Sequence, residues 1–251
     1  MITPIKFSFI ITFRFKPDRI MPLKRTIDWI SGFSGVELII VEQDSHSKIG
    51  HLPLKGKHIF LKNAGTFNKC WGYNVGLKES TAPIVVFGDS DLVMNPNHFI
   101  SALMETANYE VINPYKSVID LNPEENNLNL DQIFQINRTG RGENDHQKVP
   151  MCGGITIFRK ESILKIGGWA EMFVEWGGED DFQSLKVKNF LTYIELPNKC
   201  YHFYHQRGVT DMNSYQRNLQ ILNHFNSAPK SDLEKHIAIE RQKIGMINKY
   251  C

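Results

Sequence analysis

Ala82-Pro-Ile-Val-Val-Phe-Gly-Asp-Ser-Asp91 joins a β-branched and aromatic run to two carboxylates that are two positions apart. Ala82 to Phe87 reads as a buried strand, because a short continuous apolar stretch bounded by turn residues suits a sheet covered on both faces. Asp89 then stands at the carboxyl end of that strand, where open α/β sheets bind their ligands. In an extended chain residues two apart point the same way, so Asp89 and Asp91 can face one ion and the groups around it. Carboxylate oxygens suit Mg²⁺ or Mn²⁺, which complete their shells with substrate phosphates and water. An acidic turn capping the next segment would use the same residues; the position directly after a buried strand favours the metal.

Upstream of this stretch, strand and helix signals alternate. Lys6 to Phe13 reads as a strand, Pro22 to Gly32 as a helix through Leu23, Ile27 and Ile30, and Val36 to Val41 as a second strand. The second strand runs into the polar Glu42-Gln43-Asp44-Ser45, and a short third strand, His58 to Leu61, precedes a helix over Phe67 to Lys78. This order predicts an α/β fold with a mostly parallel central sheet flanked by helices. Arg14, Asp44 and Asp89 then all fall at strand carboxyl ends. Downstream, Asn113 to Lys148 is polar, with one short candidate helix at Leu130 to Ile136, and reads as disordered or as a loop covering a substrate. Order resumes with Met151 to Phe158 and a helix over Arg159 to Ile166, ended by Gly167-Gly168. Two tail helices are expected, Ser214 to Phe225 and Ser231 to Tyr250, the second opened by a Ser231/Glu234 capping box.

The 251 residues, 41% hydrophobic and 22% charged, suffice for one large core with or without an appendage. A net charge of +2 gives no footprint for nucleic acid. No stretch approaches the ~18 to 20 apolar residues of a membrane span, and Met1 to Phe15 lacks a signal-peptide pattern. Cys70, Cys152, Cys200 and Cys251 are dispersed, which favours free thiols in a reducing compartment over a zinc site. A soluble, cytoplasmic protein is expected, with peripheral membrane association left open.

A second acidic motif lies in Phe173-Val-Glu-Trp-Gly-Gly-Glu-Asp-Asp181, ahead of a helical run through Phe190. Carboxylates favour a helix N-terminus through the macrodipole, yet three in a row after Trp-Gly-Gly exceed what capping needs. A helix points Glu179, Asp180 and Asp181 in different directions, so one is expected to face a substrate, remaining ionised and ready to accept a hydroxyl proton. Trp176 between polar residues offers a ring for stacking on a sugar, and Gly177 and Gly178 let the segment close over it. In Cys200-Tyr-His-Phe-Tyr-His205, an extended chain lets only one histidine reach a metal, and a bent one lets both contribute. Of the two, His205 is the first choice. Phe67 and Trp71 read equally as core residues, and Arg14 and Lys69 are diphosphate partners or ordinary surface cations.

In this order the motifs resemble a GT-A glycosyltransferase, most of all the beta-1,4-galactosyltransferase catalytic domain, with bacterial chondroitin-polymerase-type and capsule glycosyltransferases close by. Thr12-Phe13-Arg14 is similar to that family's Pro-Phe-Arg turn, and Phe67-Asn-Lys69 with Asn74-Val-Gly76 to its Phe-Asn-Arg…Asn-Val-Gly helix. Phe87-Gly-Asp-Ser-Asp-Leu92 stands where the family has its D-x-D. Gly153-Gly154, Ile166-Gly-Gly-Trp169 and Trp176-Gly-Gly-Glu-Asp-Asp181 follow the family's later run. The likeness spans roughly Phe7 to Gly208, with His202 in place of Met, Lys69 of Arg and Thr12 of Pro. It implies a GT-A domain over 1–212; the helical extension over 213–251 has no counterpart in that family, and, unlike the animal enzymes, no stem or membrane anchor is expected ahead of the domain.

The resemblance further implies inverting transfer from a UDP-sugar, galactose or N-acetylgalactosamine, to a saccharide hydroxyl, in bacterial surface polysaccharide synthesis. Asp91, His205 and His202 would hold Mn²⁺ (or Mg²⁺), Asp180 would be the base, and Glu179 would contact sugar hydroxyls. Thr12, Phe13, Arg14, Glu42, Asp44, Phe67, Lys69, Asn74, Asp89, Gly153, Gly154, Trp176, Gly177 and Gly178 would line the substrates. Two other classes use similar residues. A nucleotidyltransferase should carry a Gly-rich basic loop after the first strand, and Thr12 to Arg19 has no glycine. A non-catalytic saccharide-binding module would account for Trp176 and the carboxylates without a metal.

Overall fold

The computed structural model describes residues 5–143, 153–206, 208 and 211–249. Its elements run β1 (Phe7–Phe13), α1 (Ile20–Ile30), β2 (Val36–Asp44), β3 (Lys57–Lys62), α2 (Lys69–Glu79), β4 (Ile84–Gly88), β5 (Leu92–Met94), α3 (Pro96–Met104) and β6 (Val111–Asn113). They continue with β7 (Ser117–Asp120), α4 (Leu130–Phe134), β8 (Thr156–Arg159), α5 (Lys160–Lys165), α6 (Glu179–Phe190), β9 (Tyr193–Glu195), β10 (Lys199–His202), α7 (Met212–Ser227) and α8 (Lys230–Arg241). The main sheet has the order β3-β2-β1-β4-β8-β6-β9. It is parallel from β3 to β4, β8 runs against both its neighbours, and β6 and β9 are parallel again. The mostly parallel α/β sheet expected from the strand–helix alternation is present.

Period-two alternation divides the core between the two faces of the sheet. Phe7, Phe9, Ile11 and Phe13 of β1 join Leu38 and Ile40 of β2 and Val86 of β4, packed against Leu23, Ile27 and Trp29 of α1 and Phe99 of α3. On the other face Ile10, Ile39, Val41, Val85 and Phe87 meet Trp71, Tyr73 and Val75 of α2 and Phe182 of α6. Burial on both faces is why β1 reads as an unbroken apolar run. α2 approaches the sheet at two glycines one turn apart. A Cβ on Gly72 would lie 2.5 Å from Thr12 Oγ1, and one on Gly76 would overlap Ile10 Cγ2. That close contact fixes the helix N-terminus beside the carboxyl ends of β1 and β4.

A second sheet has the order β5-β10-β7. Its strand β7 lies inside the polar segment 113–148, which was expected to be disordered or a loop; residues 144–148 lie outside the described residues. Four residues flanked by Ser117 and Asp120 carry too little apolar pattern to announce a strand, and the pairing partners are distant in sequence. Arg138 and Arg141 fasten this segment, to Glu125 at 2.7 Å and to Asp120 at 2.7 Å.

The tail helices pack on the core, with Leu222 of α7 and Leu233 and Ile237 of α8 in the second cluster. Residues after α8 run along α2, where Trp71 Nε1 donates to the Met246 carbonyl at 2.7 Å. The Ser231/Glu234 capping box does not form. α8 starts one residue earlier, with Pro229 at the N-cap (φ −58°) and no side-chain cap bond, and it ends at Arg241. Tyr250 is outside the described residues. A capping box forms instead at α4, between Asn129 and Gln132. Cys70 and Cys200 are free and buried; Cys152 and Cys251 lie outside the described residues. Among the described residues no helix is long and apolar enough to cross a membrane.

Candidate active site

The register of the small sheet assembles a cluster of metal-ligating side chains. β10 pairs His202 with Leu92 of β5 on one side and with Asp120 of β7 on the other. Phe203 N donates to the Asp91 carbonyl at 2.9 Å, which binds the turn after β4 to the end of β10. The chain leaves the strand after His202, and this bend brings both histidines to one carboxylate. His205 Nε2 lies 3.2 Å from Asp91 Oδ2, and His202 Nε2 lies 3.8 Å from Asp91 Oδ1. The ligand atoms of Asp91, His202 and His205 all lie within 4.8 Å of one another. One carboxylate oxygen and two imidazole nitrogens form a donor set that fits Mn²⁺, harder than a zinc–thiolate site and softer than an all-oxygen one.

Burial disfavours the Asp91 carboxylate, but hydrogen bonds and charge from His202 and His205 prevail and hold its pKa below the usual range. His202 is disfavoured as a cation by burial and favoured by Asp91 and Asp120, which together raise its pKa. Asp120 was not anticipated. Its Oδ1 lies 3.0 Å from His202 Nδ1, and Arg141 grips both its oxygens, at 2.7 Å through Nε and 3.1 Å through Nη2. A carboxylate on one ring nitrogen turns the other toward a metal. Arg19 was also missed, with Nη1 4.0 Å from Asp91 Oδ2 and a buried Nε without a hydrogen-bond partner.

Asp89 and Asp180 flank the Gly153-Gly154 pair. Asp89 N donates to the Gly154 carbonyl at 3.2 Å, and a Cβ on Gly153 would lie 2.5 Å from Asp180 Oδ2. Gly153 has φ +71°, so both space and backbone favour glycine there. Tyr115 holds the pair by donating to the Gly153 carbonyl and accepting from Ile155 N. Lys69 Nζ stands 3.0 Å from Asp89 Oδ1, which also accepts from Tyr73 at 3.2 Å. Burial opposes the Lys69 charge, yet Asp89, Tyr73, Asp180 and Glu179 outweigh it and raise the lysine's pKa well above its ordinary value.

The three carboxylates opening α6 diverge as expected of a helix. Glu179 is buried and accepts from Gly177 N at 3.0 Å, whereas Asp181 is exposed. Asp180 Oδ1 is buried without a hydrogen-bond partner among the described residues. Burial pushes the Asp180 pKa up to about 8, with Lys69 working against the shift and Glu179, Asp89 and Asp181 adding to it. The expectation of a carboxylate that stays ionised is therefore corrected: a carboxyl so perturbed is mostly protonated at neutral pH and exchanges its proton near there. Trp176 is 64% exposed, and its ring stacks on Tyr215 of α7 with centroids 5.4 Å apart.

Several residues expected on the nucleotide have their polar atoms engaged within the protein. Asn74 is buried, with Nδ2 on the Trp169 carbonyl and Glu171 Oε1 and its Oδ1 on Trp169 N. Glu42 is fully buried and anchors the following loop through Ser47, Lys48 N, Ile49 N and His58. Arg14 donates to the carbonyls of Gln43, Asn63 and Gly65 and lies over the Phe67 ring. Thr12 and Phe13 are buried on opposite faces of β1, and Asp44 accepts from Ser45 N. Polar atoms of Arg14, Glu42 and Asn74 are thus engaged with the protein itself. A separate 500 Å³ cleft lined by Lys78, Leu164, Lys165, Arg241 and Ile244 shares no residue with the site.

Residues 146–206 match the family described as the N-terminal domain of galactosyltransferase. No curated protein matches the chain at a significant level. The structure of S. aureus TarS in complex with UDP-GlcNAc is similar over 94% of this chain and 71% of its own, with 15% identity and a TM-score of 0.60. Drosophila β1,4-galactosyltransferase 7, in complex with manganese, UDP-Gal and xylobiose, is similar over 83% of this chain and 78% of its own, with 13% identity and a TM-score of 0.51. Mannosyltransferase PcManGT from Pyrobaculum calidifontis, in complex with GDP-Man and Mn²⁺, is similar over 82% of this chain and 61% of its own, with 17% identity and a TM-score of 0.53. The chain is built on the GT-A glycosyltransferase fold.

Proposed function

We propose that the protein is an inverting, Mn²⁺-dependent glycosyltransferase that moves a sugar from a UDP-sugar to a hydroxyl of a saccharide acceptor. The observation that carries this proposal is the meeting, at Gly153-Gly154, of the turn bearing Asp89 and Asp91 with the Asp180 carboxylate, whose Oδ2 faces Gly153 and whose buried Oδ1 has no hydrogen-bond partner among the described residues. Asp91, His202 and His205 hold the metal, which when bound supplies Lewis-acid stabilisation to the diphosphate leaving group. Lys69, restrained by Asp89, adds a cation on the donor side. Asp180 takes the proton from the acceptor hydroxyl as the new glycosidic bond forms, and it does so from the face opposite the leaving group. Glu179 braces the Trp176 turn through Gly177 N and orients sugar hydroxyls, while the Trp176 indole meets the apolar face of the acceptor ring.

A UDP donor is supported by the UDP-sugars bound to TarS and β1,4-galactosyltransferase 7. Galactose or N-acetylgalactosamine is preferred because residues 146–206 match a galactosyltransferase family. Assembly of a bacterial surface polysaccharide in the cytoplasm accords with the resemblance to capsule enzymes. Asp180→Asn tests the base directly. It should reduce transfer by roughly 100-fold or more, as loss of a general base does, while UDP–Mn²⁺ affinity stays within about twofold. In the parent enzyme, activity should fall as pH drops through the Asp180 pKa, because the base must be unprotonated. Joint loss of transfer and nucleotide binding in Asp180→Asn would remove it from that role.

A further inference from the structure

The turn carrying Trp176 has an unusual backbone that its own residues do little to hold. Glu175 is the one non-glycine with positive φ among the described residues, at +58°, and Gly177 and Gly178 follow at +104° and +86°. Its local ties are Glu175 N to the Phe67 carbonyl at 3.0 Å, Gly177 N to Glu179, and the Gly178 carbonyl, which accepts from Phe182 N at 2.9 Å. Further restraint comes from α7. Tyr215 and Asn218, one turn apart on the helix, reach the turn at Trp176-Gly177 and at Val174 respectively. The Tyr215 ring stacks on Trp176 with planes 24° apart. The same ring rests on the backbone, since a Cβ on Gly177 would come within 2.7 Å of Tyr215 Cδ2. Asn218, fully buried, donates to the Val174 carbonyl at 2.9 Å. α7 is itself seated on α6, where Phe225 meets Phe182 edge to face at 5.0 Å, and Leu222 enters the core.

We propose that α7 is part of the acceptor site, with Tyr215 and Asn218 as positioning residues that hold Trp176 ready for a saccharide ring. The proposal rests on the acceptor role given to Trp176 above. A ring already ordered against Tyr215 loses little freedom when a sugar docks, so the helix lowers the cost of acceptor binding without touching donor or metal. The segment beyond residue 212 thereby contributes to catalysis, not only to packing.

Trp176 provides its own probe, because Trp29, Trp71 and Trp169 are all buried at 3% exposure or less. Acrylamide quenching of tryptophan fluorescence in the full chain, without substrates, therefore reports this one indole, and Trp176→Phe should abolish most of the quenching. Tyr215→Ala should quench more steeply than the parent, and Tyr215→Phe, which keeps the ring, should match it. In transfer assays Tyr215→Ala should raise the acceptor KM about two- to tenfold, the worth of one aromatic pair, leaving donor KM and Mn²⁺-dependent UDP affinity unchanged. Unchanged quenching in Tyr215→Ala, with an unchanged melting temperature, overturns the positioning role whatever the activity. Steeper quenching with an unaltered acceptor KM overturns the link to the acceptor. Steeper quenching with no transfer by the parent enzyme removes the acceptor role of Trp176 itself, and the proposal with it.

Discussion

At His202 one ring nitrogen faces Asp91 at 3.8 Å, and the other meets Asp120 at 3.0 Å. Arg141 leaves Asp120 no freedom to turn away. Asp120→Asn replaces a charged acceptor with an amide that can present either end to the imidazole, so the ring's orientation and basicity both suffer. Mn²⁺ affinity measured by calorimetry should fall by roughly 10- to 100-fold, the usual loss when the carboxylate behind a metal-bound histidine is removed. An unchanged affinity would detach Asp120 from the metal site. Nothing near Asp120 in sequence announces this role, because its partner lies 82 residues away and only the β7–β10 register joins them. Asp91 was legible because it follows a buried strand directly. Asn74 and Glu42, expected among the substrate contacts, each also make three or more hydrogen bonds within the protein, a structural engagement that their place in a motif does not announce. The bend after His202, which decides that both histidines reach Asp91, lies in tertiary structure and was left open by spacing alone.

Among elements, α2 sets the site through its glycines. Gly76 touches Ile10 so closely that no side chain fits, and this contact lowers the helix onto the sheet with Lys69 at its leading end. Gly76→Ala should destabilise the protein by about 1–3 kcal/mol through overpacking, despite the better helix propensity of alanine. Chemical denaturation measures this, and a gain in stability would show that the helix is free to shift outward. The helix was legible from Phe67 to Lys78, and its start at Lys69 is fixed by Asn68, whose side chain caps Trp71 N at 2.8 Å. Strand β7 escaped notice because a four-residue strand shows no usable periodicity. The start of α8 was misplaced by one residue because Pro229 presets the backbone ahead of Ser231.

Over the whole molecule, the parallel half of the sheet supplies the strand ends, and the small sheet gathers the candidate metal ligands Asp91, His202 and His205 at one end. α6 and α7 build the opposite wall, with Asp180 at one helix start and Tyr215 behind Trp176. The unbroken apolar runs of β1 and β2, buried on both faces of the sheet, made the parallel half readable from sequence. The antiparallel β8 and the docking of the tail depend on contacts between distant segments, which composition does not encode. The proposed metal-dependent grip on a nucleotide would join these parts, and calorimetric titration of UDP with and without Mn²⁺ probes it most directly. UDP should bind the parent protein with Mn²⁺ present, and the binding should weaken at least about tenfold on chelation or in Asp91→Ala. Failure of UDP to bind with Mn²⁺ present, or equal affinity after chelation, would contradict a metal-dependent transferase.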